Sequence, residues 1–166
     1  MNPADELVDL IDDAGNTVGV VTRREMRAKR LPHRCTYVLV FNTRGDLFIH
    51  LRTATKDVNP SHWDVTIGGV LAAGESFASG VKREIREELG IEADAAELFP
   101  FEHSDPNTLV RAIAYRLVHD GPFRLQPEEI VRGEFVPIDD VLKRVGSMLF
   151  CADGVAVLNQ YLRTQR

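Results

Sequence analysis

Apolar and polar positions run along the chain in two rhythms, and each change of rhythm marks an element. Leu7 to Ile11 and Thr17 to Val21 flank the turn-forming tetrad Asp13-Ala14-Gly15-Asn16, which predicts a β-hairpin over residues 5–22. Arg23 to Arg30 is strongly charged and predicts a short helix closed by Leu31-Pro32. Thr36 to Asn42 (TYVLVFN) and Asp46 to Leu51 (DLFIHL) predict a second hairpin around Thr43-Arg44-Gly45, and Trp63 to Ile67 predicts a strand running into Gly68-Gly69. From Phe77 onward the rhythm becomes helical: Phe77, Val81, Ile85 and Leu89 recur every four residues on one face, and Gly90 supplies a C-terminal stop. Leu109 to Val118 and Gly133 to Val136 read as strands. Asp139 to Val145 and Ala152 to Leu162 read as helices, the last with Val155, Leu158 and Leu162 on one face. No regular βαβ alternation appears, so the expected fold class is α/β with a mixed sheet in layers rather than a doubly wound parallel sheet. No repeat, low-complexity tract or linker interrupts the chain, which reads as one domain over 1–166.

Composition narrows the partners. With 166 residues, 44% apolar and 27% charged, the chain can build a substantial core. A net charge of −5 argues against partnership with nucleic-acid backbones or anionic membranes, which reward a basic surface, but leaves room for a local basic pocket. The two cysteines, Cys35 and Cys151, lack metal-ligand spacing and are too few for a disulfide framework. No signal peptide or 20-residue apolar run is present, and a soluble cytoplasmic protein is the expectation.

The stretch GVLAAGESFASGVKREIREELGI, Gly69 to Ile91, carries the chemistry. Glu84, Glu87 and Glu88 lie three and four residues apart, on one helix face and within about 6 Å along its axis. Like charges this close repel. Taken alone, REIREE would be a solvated helix face, since Arg83 and Glu87 make a favourable (i, i+4) pair. Clustered carboxylates also suit hard divalent cations such as Mg2+ or Mn2+, which retain sites for water and substrate phosphates.

The surrounding spacing favours the second reading. The segment resembles the Nudix box, G-x5-E-x7-R-E-U-x-E-E-x-G-U with U a bulky aliphatic, and fills every fixed position: Gly69, Glu75, Arg83, Glu84, Ile85, Glu87, Glu88, Gly90 and Ile91. The resemblance implies an α/β/α sandwich and a hydrolase of acid anhydrides in phosphorus compounds, acting on a nucleoside diphosphate linked to another group X or a related phosphometabolite. Glu84, Glu87 and Glu88 would hold Mg2+ or Mn2+, with the Gly69 carbonyl near the ion and Glu84 a candidate for activating water. Glu75 and Arg83 would brace the loop. Ile85, Leu89 and Ile91 would anchor the helix.

Outside the box, LVDLIDDAGNTVGVVTRREM and LPHRCTYVLVFNTRGDLFIHLRTATKDVNPSHWDV resemble the Nudix branch that includes isopentenyl-diphosphate isomerases and hydrolase-like relatives. An isomerase of that branch needs a cysteine where this chain has Gly68, a histidine where it has Val70, and an acidic pair in a strand that here reads LVRAIAYRL. Glycine cannot donate a proton, so the isomerase reading lacks its acid–base groups and hydrolysis is favoured. Glu128, Glu129 and Glu134 are candidates for a general base outside the box. Arg34, Arg52, Lys56 and Arg111 are candidates for binding substrate phosphates, Arg111 because it sits mid-strand among apolar neighbours. The five histidines show no paired metal spacing, and Trp63 reads as a core residue. The C-terminal helix and N-terminal hairpin offer faces for packing within the chain or against a second subunit, and the resemblance allows a homodimer.

Overall fold

The computed structural model describes residues 1–166. Its centre is the apolar run of β3 (His33–Phe41), in which successive side chains serve opposite faces. Cys35, Tyr37, Leu39 and Phe41 enter one apolar cluster, and Val38 and Val40 enter another. The period of two therefore explains why this strand reads as continuously hydrophobic: both faces are covered. One face carries α2 (Phe77–Leu89), which buries Val81, Ile85 and Leu89 against Val38, Val40, Phe48, Tyr115 and Leu117. The other carries α4 (Ala152–Thr164) through Val157, Leu158 and Tyr161, joined by Met26 of α1 (Arg23–Ala28) and Val141 of α3 (Ile138–Val145). The result is the α/β/α sandwich with a mixed sheet.

The sheet runs β5 (Trp63–Asp64), β4 (Leu47–Arg52), β3, β7 (Leu109–Val118) and β6 (Ala96–Ser104), with β8 (Ile130–Val136) pairing antiparallel to β4. β3 and β7 are parallel from His33 opposite Val110 to Phe41 opposite Val118. β1 (Leu7–Ile11) and β2 (Thr17–Thr22) form the expected separate hairpin, which packs on the same chain.

Three expectations are corrected. The hairpin expected between β3 and β4 pairs only at Phe41 and Leu47. Beyond that point the strands part, because the segment after β5 (Trp63–Asp64) takes the place beside β3: Val38 and Ile67 exchange backbone hydrogen bonds at 2.7 and 3.0 Å, and the Thr36 amide donates to the Gly69 carbonyl at 2.9 Å. The charged helix stops at Ala28 rather than Arg30, whose φ of 51° lies in the left-handed region. A strand the pattern did not announce, β6 (Ala96–Ser104), pairs antiparallel with β7 at the sheet's edge. Its Pro100 lacks an amide hydrogen, which an edge strand tolerates and a central one does not. No helix is long and apolar enough to cross a membrane.

Candidate functional site

Helix α2 begins at Ser76, whose hydroxyl accepts from the Ser79 amide at 3.1 Å, and ends at Gly90 with φ 67°, a conformation that favours glycine. Its N-terminal half is seated by contact, since a Cβ on Gly80 would lie 2.1 Å from Leu71. The loop before it is braced by one ion pair. Arg83 Nε and Nη2 donate to the two oxygens of Glu75 at 2.8 and 2.9 Å, and Glu75 also accepts from the Ala72 amide. Burial works against ionising Glu75, but the bonds and charge of Arg83 together with the Ala72 amide outweigh it and hold the carboxyl below its usual range.

Past this brace, the pitch of α2 turns Glu84 and Glu88 inward and leaves Glu87 half exposed. Arg83 Nη1 donates to Glu84 at 2.8 Å and Glu87 at 3.2 Å, and Glu88 faces the Gly68 amide at 3.4 Å. Burial pushes the Glu84 carboxyl up to about 7, against the opposing pull of Arg83. Glu88 is raised well above the carboxylate range by burial first and by Glu84 second. No three acidic, histidine or cysteine side chains converge tightly enough to cage an ion unaided. The Gly69 carbonyl accepts from Thr36, which leaves one lone pair free. Two neighbouring carboxylates raised by burial fit a hard cation of the Mg2+ type, which uses one or two carboxylates and takes its remaining oxygens from water and phosphate.

These carboxylates border an open cleft of about 290 Å³ that also reaches Arg23, Lys56, Gln126 and Glu129. Glu129 arrives there because the loop after β7 is tied to the end of α2: the Arg124 and Gln126 amides donate to the Leu89 and Glu88 carbonyls. It pairs with Lys56. Glu128 and Glu134 do not border the cleft; Glu134 pairs with Arg144 at 2.8 Å.

The fold separates the four candidate phosphate-binding cations. Lys56 lines the cleft. Arg52 lies 3.8 Å from Asp64 and donates to the Val58 and Asn59 carbonyls, lining an adjoining chamber. Arg34 and Arg111 border neither space. Arg34 donates to Thr17 and the Gly15 carbonyl and approaches Asp9 at 3.5 Å, while Arg111 pairs with Glu102 at 2.9 Å and donates to the Asp13 carbonyl. An arginine within a strand needs a polar partner: Arg34 finds its partners in the N-terminal hairpin, and Arg111 divides its bonds between the hairpin turn and Glu102 of the next strand.

Arg23, which lines both the cleft and the adjoining chamber, and Arg27, which lines the chamber, escaped the sequence reading. The available signal was their spacing: Arg23, buried Met26 and Arg27 stand at i, i+3 and i+4, so they share the inward face of α1. His33 and His50 are buried and held neutral, lowered to about 4 and about 3 mainly by burial. Trp63 is a core residue with the Arg132 guanidinium 5.3 Å from its ring centre.

A model of the NUDIX domain matches residues 31–148, well over half of the chain and inclusive of the braced loop and α2. The chain belongs to this family. Nudix proteins are hydrolases that generally cleave pyrophosphate bonds of nucleoside diphosphate derivatives, and this one is a hydrolase of that class. The Nudix chain is 35% identical over 158 residues to an uncharacterized Nudix hydrolase of Pseudomonas aeruginosa, covering 95% of this chain and 94% of the relative. It is 35% identical over 164 residues to one of Yersinia pestis, covering 97% and 89%. Among solved structures, a protein of Deinococcus radiodurans superposes with a TM-score of 0.81 at 26% identity, covering 93% of this Nudix chain and 98% of the other.

Proposed function

We propose that this Nudix hydrolase uses Mg2+ or Mn2+, held by Glu84, Glu87 and Glu88 with the Gly69 carbonyl, to cleave the phosphoanhydride bond of a small diphosphate-containing substrate. The observation that carries this reading is the pair of buried carboxylates, Glu84 and Glu88, both raised mainly by burial and opening on a cleft with cations on its rim. When bound, the ion neutralises phosphate oxygens and makes a water more acidic. Lys56 and Arg23, which border the same cleft, supply positive charge to the phosphates. Glu129, which also borders the cleft, accepts the proton of the attacking water, with Glu84 the alternative within the box. Arg83 and Glu75 hold the loop and the glutamates in place.

The test is a panel of nucleotides and phosphometabolites assayed with Mg2+ and Mn2+. Glu87→Gln and Glu88→Gln remove a ligand charge while keeping the helix, so turnover is expected to fall by orders of magnitude with little change in circular dichroism. Full activity in both variants would falsify the assignment.

A further inference from the structure

Five glutamates border the carboxylate cleft, against three cationic side chains: Arg23, Lys56 and Arg83. Arg83 is fully engaged, since its three nitrogens bond Glu75, Glu84, Glu87 and the Val70 carbonyl. Lys56 pairs with Glu129. Arg23 is the least satisfied of the three. Its Nη2 donates to Glu6 at 2.7 Å, and its Nε is buried without a partner. An arginine carries five donors in a fixed fork, so one acceptor leaves most of it unfilled.

The N-terminal hairpin builds the Glu6–Arg23 pair. Leu7 stands opposite Thr22 in the β1–β2 ladder, and one rung further on the Arg23 amide donates to the Glu6 carbonyl at 2.8 Å. The two side chains therefore start from facing positions at the hairpin's base. Glu6 borders the cleft but not the adjoining chamber, whereas Arg23 borders both. Beside them Asp5 pairs with Arg24 at 3.0 Å, and neither of these borders the cleft. Exposure separates the two pairs: 22% and 33% for the side chains of Arg23 and Glu6, 63% and 54% for those of Arg24 and Asp5. Water and salt screen the outer pair, and the inner pair keeps more of its field.

We infer that Glu6 is a specificity-determining residue of the cleft: it holds Arg23 in a neutral pair, so that the cleft discriminates against phosphate groups that arrive without a cation. The inference rests on the hydrolase reading, which brings substrate phosphates to Arg23, and deepens it. A bare diphosphate drawn to Arg23 meets the Glu6 carboxylate in the same ion pair and is repelled by it. Displacing that carboxylate exchanges one charge-assisted hydrogen bond for another and gains little. A diphosphate that carries Mg2+ has two of its negative charges offset, and Glu6 opposes it correspondingly less. Glu6 thus acts on the ligand through the charge of Arg23, at a point where the arginine's remaining donors are still available.

Inorganic pyrophosphate is the probe, its binding measured by calorimetry in EDTA and again with Mg2+. Glu6→Gln keeps the shape of the side chain and an acceptor for Arg23 but removes the charge. The variant is expected to bind pyrophosphate about tenfold more tightly than wild type in EDTA at low salt, and about threefold or less more tightly with Mg2+. Asp5→Asn makes the same charge change one residue away and should leave binding within about twofold, because its pair is exposed and screened. In an Arg23→Ala background, the effect of Glu6→Gln should shrink to about twofold or less. Unchanged or weaker binding by Glu6→Gln would mean that Glu6 only braces the hairpin. That result, equal tightening with and without Mg2+, or tightening that persists without Arg23 overturns the inference and leaves the hydrolase reading intact. The expected pattern in a protein that turns over no compound of the panel keeps the inference and sinks the hydrolase reading. Absence of pyrophosphate binding in every variant and both conditions overturns the inference outright.

Discussion

Replacing Glu84 with glutamine removes a charge that the fold holds against its own solvation. The carboxyl is 7% exposed, and its folded value of about 7 stands above the 4.5 of an exposed glutamate. For an acid raised in this way, the folded state is favoured most below the unfolded value, and that advantage is lost as pH rises through the folded value. The groups that face it are Arg83, which lowers the carboxyl, Glu87 and Glu88, which repel it, and Arg23 at longer range. The rise from 4.5 to about 7 corresponds to about 3 kcal/mol of destabilisation by pH 8, against about 1 kcal/mol at pH 5. Glu84→Gln keeps the shape and an acceptor for Arg83 but never ionises. In urea titrations with EDTA, the variant should unfold at higher denaturant than wild type at pH 8, by roughly 1–2 M for an m-value near 2 kcal/mol/M. The gap should narrow by more than half at pH 5, and turnover with Mg2+ should fall by orders of magnitude in the same protein. A variant less stable than wild type at pH 8, or a gap that ignores pH, would refute the claim that this carboxylate is kept for chemistry at a cost in stability.

The cations and the loop offer two more tests. Arg23→Ala and Lys56→Ala should raise KM by about tenfold each, whereas Arg111→Ala, whose partners are Glu102 and the Asp13 carbonyl away from the cleft, should leave KM and kcat within about twofold; steady-state kinetics on any turned-over substrate decides. Gly68→Ala places a Cβ 2.2 Å from the Thr36 carbonyl oxygen at φ 132°, so a loss of about 2 kcal/mol or more in urea unfolding is expected, together with reduced turnover as the Gly69 backbone shifts.

Much of this site was legible because it is local. Val81, Ile85 and Leu89 set the buried face of α2, and the same helical pitch brings Glu84 and Glu88 inward, so a single 23-residue stretch carries both core anchor and chemistry. What escaped reading is long-range or disguised. The β6 edge strand hides behind Pro100 and a scatter of charges, because an edge does not have to alternate cleanly. Glu128, Glu129 and Glu134 are alike in sequence, and only the bonds that tie Gln126 to the end of α2 bring Glu129 to the cleft. Arg111 drew notice as a charge in an apolar strand, yet its partner is a glutamate one strand away. The approach of Asp153, in the first turn of α4, to Asp64 of β5 has no signature in either neighbourhood, since it depends on where a late helix meets one edge of the sheet.

The ten residues from Thr53 to His62 contain no buried side chain, and their fastenings are polar: the Arg52 guanidinium on the Val58 and Asn59 carbonyls, and the pairing of Arg27 with Asp57. Yet this segment delivers Lys56 to both compartments. Substrate preference and phosphate grip are thus adjustable through one superficial stretch whose rearrangement does not disturb the apolar interior. Relatives on the same scaffold that differ in its length or charge are expected to diverge in what they degrade while remaining equally robust as folded proteins.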